Sequence, residues 1–214
     1  MRLVMPRLYV ILDRGMLTEP AGDTAQKLIE AGVRLLQYRN KDGAACELFA
    51  DASDIARVTR PARCTFFVND RPDVAYLSGA DGVHVGQQDL GVEQARHVIG
   101  SERWVGVSTH NLEQFTRAEA SSADYIAVGP IFPTPSKTNP DPVVGLDFAR
   151  RVRPMTQKPI VAIGGITLER ASEVLETGAN TVAVISDILL AKDPAARARD
   201  FIQRLEAAKP AANH

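Results

Sequence analysis

Short apolar runs alternate with longer amphipathic stretches along most of the chain. The runs are Arg7–Leu12, Val33–Tyr38, Thr65–Val68, Gly82–Val85, Trp104–Val107, Tyr125–Val128, Pro159–Ile163 and Thr181–Ile185. They are β-branched and nearly continuous in apolar residues, as parallel strands buried on both faces require. Helical spacing marks Asp23–Ala31, Ala44–Val58, Pro72–Ser78, Val92–Ile99, Leu112–Ala120, Leu146–Val152, Thr167–Thr177 and Ala195–Ala208. In Ala44–Val58, for example, Leu48, Ile55 and Val58 fall on one face. Gly32, Gly100 and Gly178 follow three of these stretches, where helices commonly end. Eight strand–helix units predict an α/β fold, a single-domain (β/α)8 TIM barrel, rather than an open doubly wound sheet. No linker interrupts residues 1–214, and Lys209–His214 reads as a frayed tail.

Composition narrows the function classes. The 214 residues are 45% hydrophobic and 24% charged, with a formal net charge of −1, an ordinary globular balance. A near-neutral chain with no long basic run offers no electrostatic footprint for nucleic acid. Cys46 and Cys64 match no metal-ligand or redox spacing and read as reduced thiols of a cytoplasmic protein. The run from Leu3 to Leu12 is broken by Pro6 and Arg7, so it reads as a first strand rather than a membrane span or leader.

In such a barrel the chemistry gathers at the carboxyl ends of the strands. Those ends hold Gln37, Arg39 and Lys41, then Asn69 and Asp70, Asp89, Ser108 and His110. The sixth end opens a proline-rich loop from Ile131 to Gly145 that carries Thr134, Ser136 and Lys137. Its length suggests a functional loop. The last two ends are Gly164-Gly165 and Ile185-Ser186.

Asp70 and Asp89 lie one strand–helix unit apart, so a parallel sheet brings both to one edge. Paired carboxylates there fit a hard cation that completes its shell with water and phosphate oxygens. The competing reading is that each caps the helix that follows it. Arg39, Lys41 and Lys137 would supply cations to a diphosphate, Arg as a planar fork and Lys as a point charge. Gly164-Gly165 and Ser186 occupy the usual phosphate position of this fold. Asp187 stands against that, unless it turns away as a cap. His84, between Val83 and Val85, reads as a core or lumenal histidine, and His110 leaves a site role open. No nucleophile–base arrangement for covalent catalysis is legible.

In order along the chain stand QYRNK (Gln37–Lys41), VND (Val68–Asp70) and DGVHVGQQD (Asp81–Asp89). GVSTH (Gly106–His110), GPIFPTPSK (Gly129–Lys137) and AIGGI (Ala162–Ile166) follow. Together the six resemble the thiamine-phosphate synthase family, over nearly the whole chain from Leu8 to Leu189. The resemblance implies a transferase that joins 4-amino-2-methyl-5-pyrimidinylmethyl diphosphate to a thiazole bearing a phosphorylated hydroxyethyl group. The products are thiamine phosphate and diphosphate. By similarity, Asp70 and Asp89 hold one Mg²⁺. Gln37, Arg39, Lys41, Asn69, Ser108 and Lys137 then contact the pyrimidine diphosphate, with Tyr38 and Asn40 inside the same motif. Arg39, Lys41, Ser108 and Lys137 would act in catalysis. Thr134, Pro135, Ser136, Gly165, Ile185 and Ser186 would take the thiazole phosphate. Tyr38 and Asp187 depart from the family's usual residues. A related thiazole tautomerase and a non-catalytic thiazole-phosphate carrier are the alternatives. Either would have little use for the diphosphate half of the site. Partners are small molecules, with no nucleic acid or membrane, and a homo-oligomer stays open.

Overall fold

The computed structural model describes Leu3, residues 5–134 and residues 141–208. Eight parallel strands close into a barrel in chain order. They are β1 (Leu8–Asp13), β2 (Leu35–Arg39), β3 (Thr65–Asn69), β4 (Gly82–Val85), β5 (Trp104–Thr109), β6 (Tyr125–Val128), β7 (Ile160–Ile163) and β8 (Thr181–Val184). Around them run α1 (Ala21–Glu30), α2 (Ala45–Thr59), α3 (Pro72–Ser78), α4 (Val92–Ile99), α5 (Leu112–Ala120), α6 (Gly145–Val152) and α7 (Ala171–Leu175). The last unit carries two helices, α8 (Ser186–Leu189) and α9 (Pro194–Ala207). The barrel expected from the alternation of apolar runs is the barrel found.

Each strand has an inner and an outer row, because successive side chains point to opposite faces. Leu8, Val10, Leu12, Leu36, Phe66, Val68, Val83, Val105 and Ile126 face outward into one core shared with the helices. The inner row builds a second core inside the barrel from Tyr9, Ile11, Leu35, Phe67, Tyr125, Ala127, Val161 and Ala183. Leu3, Met5 and Trp104 pack on it. Tyr9, Phe67 and Tyr125 meet edge-on or tilted, with ring centroids 5.4 to 6.2 Å apart, the geometry that aromatic quadrupoles favour.

The outcome differs from the sequence expectation after β7 and β8. Only Ala171–Leu175 of the expected helix Thr167–Thr177 is α-helical. Ahead of it the chain turns, and the Leu168 amide donates to Asp187 Oδ2 at 3.0 Å instead of opening a helix. Helix α8, four residues long, is not among the stretches with helical spacing; at that length periodicity carries no signal. The expected tail Lys209–His214 lies outside the described residues.

Candidate active site

The inner rows of β1 and β2 end side by side, with Asp13 and Arg39 as register partners. Their side chains form an ion pair at the mouth, and Asp13 also accepts from the Gly15 amide. Arg39 is therefore held from below by a carboxylate that belongs to none of the six motifs. The signal was present, since Tyr9, Ile11 and Asp13 share one two-residue period. A cleft of about 580 Å³ opens here between the β1 and β2 loops, lined by Asp13, Arg39 and Lys41 among others.

Asp70 follows β3 with φ 62°, a left-handed conformation that Asp adopts more readily than most residues. Neither Asp70 nor Asp89 caps a helix: α3 starts after Arg71 and α4 after Gly91, both without a side-chain cap. The Asp70 carboxyl instead faces that of Asp89 within hydrogen-bonding reach. Asp89 keeps its place through Oδ2, which accepts from the Gly86 amide at 2.8 Å. Burial first, then the hydrogen bond and charge of Asp89, push the Asp70 carboxyl up to about 7, against the pull of Lys41 and Arg39. Two carboxylates interact within electrostatic reach of two cations, and the capping reading falls.

That shift has a testable sign. Between the ordinary carboxyl range near pH 4 and pH 7, folded Asp70 keeps a proton that the unfolded chain has lost. Stability then falls as pH rises across this window. The metal-free protein should melt progressively lower from pH 5 to pH 7.5, and millimolar Mg²⁺ should remove most of that slope. A flat profile without metal would contradict the pairing.

On the other side of the mouth, Ser108 ends the inner row of β5. Its Oγ lies 2.8 Å from His84 Nε2. Gln37, only 2% exposed, donates Nε2–H to Tyr9 Oη at 2.8 Å. Asn69 ends the β3 row as the register partner of His84.

One residue of the QYRNK motif turns elsewhere, while Asn40 lines the cleft with Arg39 and Lys41. Tyr38 lies on the outer row, fully buried, and its hydroxyl bonds Asp51 of α2. The strand alternation that aims Gln37 and Arg39 inward must aim Tyr38 outward, so its side chain is no substrate contact. Asn40 closes its own loop, with Oδ1 accepting from the Gly43 amide at 2.9 Å.

After β6 the chain runs along β7. The Ile131 and Phe132 amides donate to Ile163 O and Gly164 O at 2.9 and 3.0 Å. A Cβ on Gly165 would come 2.4 Å from the Pro133 carbonyl, and one on Gly164 would come 2.5 Å from Pro130. Close backbone approach thus accounts for both glycines, and Thr134 follows directly on the residue packed against Gly165. Pro135, Ser136 and Lys137 lie outside the described residues.

Ile185 and Ser186 stand where β8 passes into α8. Asp187 is paired within the fold, Arg197 donating to both its oxygens at 2.9 to 3.2 Å. The charge that stood against an anion site is neutralised within the fold. His110 joins two strand ends, its Nδ1 bonding Gly129 O at 2.6 Å and its Nε2 lying 3.3 Å from Asp141.

The family model described as thiamine monophosphate synthase matches residues 8–188. The chain belongs to this family. It is 51% identical over 208 residues to the thiamine-phosphate synthase of Koribacter versatilis, covering 95% of this chain and 97% of that one. The thiamine-phosphate synthase of Chloroflexus aurantiacus is 42% identical over 199 residues, covering 91% and 90%. Among solved structures, a thiamine phosphate pyrophosphorylase from Pyrococcus furiosus superposes with a TM-score of 0.87 at 34% identity, covering 94% and 96%. Family membership and barrel thus agree with the resemblance read from the six motifs.

Proposed function

We propose that the chain catalyses thiamine-phosphate synthesis from 4-amino-2-methyl-5-pyrimidinylmethyl diphosphate and the phosphorylated hydroxyethyl thiazole. The observation that carries this reading is the Asp70–Asp89 carboxyl pair, within electrostatic reach of Lys41 and Arg39 at the family's strand ends. A tautomerase or a passive thiazole-phosphate carrier would have no use for that diphosphate half-site.

The donor set fits one Mg²⁺. Both candidate ligands are carboxylates, and the described residues hold no cluster of three or more His, Cys, Asp or Glu. Two protein oxygens leave the remaining positions to water and substrate, which is how Mg²⁺ prefers to bind. Bound there, the ion would supply positive charge to the oxygens of the leaving diphosphate. Asp70, raised by burial and by its neighbour, would lose its proton on binding, so affinity should rise with pH through about 7.

The rest falls to the protein. Arg39, already fixed by Asp13, and Lys41 accept the growing charge on the diphosphate, with Lys137 assigned to the same group. The bond from the pyrimidinylmethyl carbon to the diphosphate oxygen breaks with its electron pair on oxygen. The aminopyrimidine carries the resulting cation, held by Gln37, Asn69 and Ser108. The thiazole nitrogen lone pair then forms the new carbon–nitrogen bond and the positive charge becomes the thiazolium. Nothing here needs a nucleophilic side chain; positioning and charge stabilisation carry it. Thr134, Ser136, Gly165, Ile185 and Ser186 are assigned to the thiazole phosphate. No helix among the described residues is long and apolar enough to cross a membrane; the location this reading assigns is the cytoplasm.

The test is direct. Purified protein given Mg²⁺ and both substrates should release diphosphate and thiamine phosphate in equal amounts. Isomerised thiazole without diphosphate would favour the tautomerase, and tight thiazole-phosphate binding without turnover would favour the carrier.

A further inference from the structure

Beneath the mouth a chain of hydrogen bonds crosses the barrel. It runs from Gln37 Nε2 to Tyr9 Oη at 2.8 Å, and from Tyr9 Oη to Tyr125 Oη at 3.2 Å. It continues from Tyr125 Oη to His84 Nδ1 at 2.7 Å, and from His84 Nε2 to Ser108 Oγ at 2.8 Å. Tyr9 and Tyr125 are fully buried and His84 is 7% exposed. The described residues contain no buried side-chain polar atom without a partner.

We infer that His84, Tyr125 and Tyr9 are positioning residues: their hydrogen-bond chain, running from Gln37 to Ser108, sets Ser108 Oγ as a proton donor toward the pyrimidine. This rests on the reading that Gln37 and Ser108 hold that ring.

The direction follows from proton counting. The Gln37 NH₂ group can only donate, so Tyr9 accepts from it and passes its own proton to Tyr125. Tyr125 accepts that bond and donates to His84 Nδ1. With Nδ1 an acceptor, the neutral imidazole carries its proton on Nε2 and donates to Ser108 Oγ. Ser108 then has its hydroxyl proton free for a ring acceptor in the mouth. Gln37 likewise keeps Oε1 free, a lone-pair acceptor for an exocyclic amine. A reversed Gln37 amide would reverse every bond, leaving Ser108 to present only lone pairs. The two ends of the substrate pocket are therefore set together, through groups that touch no substrate.

Stacking fixes the geometry: the His84 and Tyr125 rings lie 5.5 Å apart at 22°. Gly106 sits between them as register partner of both. Its missing side chain lets the phenol reach across to the imidazole.

Two measurements test the chain. In ¹⁵N-histidine NMR of the ligand-free protein at pH 8, His84 should be neutral with its proton on Nε2. Tyr125→Phe should change that tautomer signal, and so should Tyr9→Phe, which does not touch the histidine. Both variants should raise KM for the pyrimidine diphosphate about tenfold, roughly one hydrogen bond, with KM for the thiazole phosphate within twofold of wild type. An Nδ1–H tautomer, or variants that only melt earlier with both KM values unchanged, would overturn the inference. Failure of the wild-type protein to make thiamine phosphate would instead remove the functional reading, and the tautomer would still decide the chain.

Discussion

Asp70→Asn is expected to lower thiamine-phosphate formation by roughly 10²–10³-fold with Mg²⁺ saturating for wild type, while the barrel stays folded. The magnitude is that of removing one preorganised charged group from a site where charge develops. Asn is the informative replacement because of the backbone. Asp70 sits at φ 62°, where Asn is tolerated and alanine pays a strain of about 1–2 kcal/mol. An alanine variant would thus mix a folding defect with the loss of a ligand. Asn also removes the carboxyl crowding, so at pH 8 without metal the variant should melt no lower than wild type. The pH slope between 5 and 7.5 should shrink with it, since among the described residues Asp70 is the carboxyl pushed up to about 7. Activity within a few-fold of wild type would sink the two-carboxylate metal site. Lower activity with the pH slope retained would assign that slope to another group.

How far the chain could be read before its structure is clearest at the strands. Apolar runs located all eight, and Gly32 and Gly100 placed two helix ends, because both signals are local. Motif position then brought Asp70, Asp89, Arg39 and Lys41 to one rim, since in a parallel barrel every strand end faces the same way. What escaped depends on partners distant in sequence. Asp13 and Arg39 meet only through the β1–β2 register, and Asp187 is silenced by Arg197 on the following helix. Tyr38 went astray for a different reason. Gln37–Lys41 is contiguous in sequence, but strand alternation sends every second side chain to the helices. The lumenal chain through Tyr9, Tyr125 and His84 was hidden because aromatic residues in apolar runs read as packing. Only closure of the barrel puts their polar atoms within reach of one another.

Closure also makes one glycine unusually costly to change. Gly106→Ala should lower stability by about 1–3 kcal/mol or more and reduce activity at least tenfold. A Cβ there would lie 2.0 Å from Tyr125 Cζ and 2.4 Å from its hydroxyl. Backbone conformation is not the obstacle, for Gly106 is not among the residues with positive φ. The obstacle is space, and the ring cannot retreat. Tyr125 is fully buried and packs edge-on against Phe67 at 5.4 Å, in an interior where a displaced ring must displace its neighbours. Two losses follow from one methyl group: the core is overpacked, and the phenol leaves His84. A double variant separates them. Adding Tyr125→Leu removes the ring that clashes, so Gly106→Ala/Tyr125→Leu should be more stable than the sum of its single changes implies, by at least about 1 kcal/mol. Its activity should stay as low as that of Gly106→Ala, because leucine cannot restore the hydrogen bond. Denaturant unfolding and steady-state assays of the four proteins measure both quantities. Additive stabilities would mean that the glycine is not making room for Tyr125, and recovered activity would mean that the phenol's bond to His84 does nothing for the site above it.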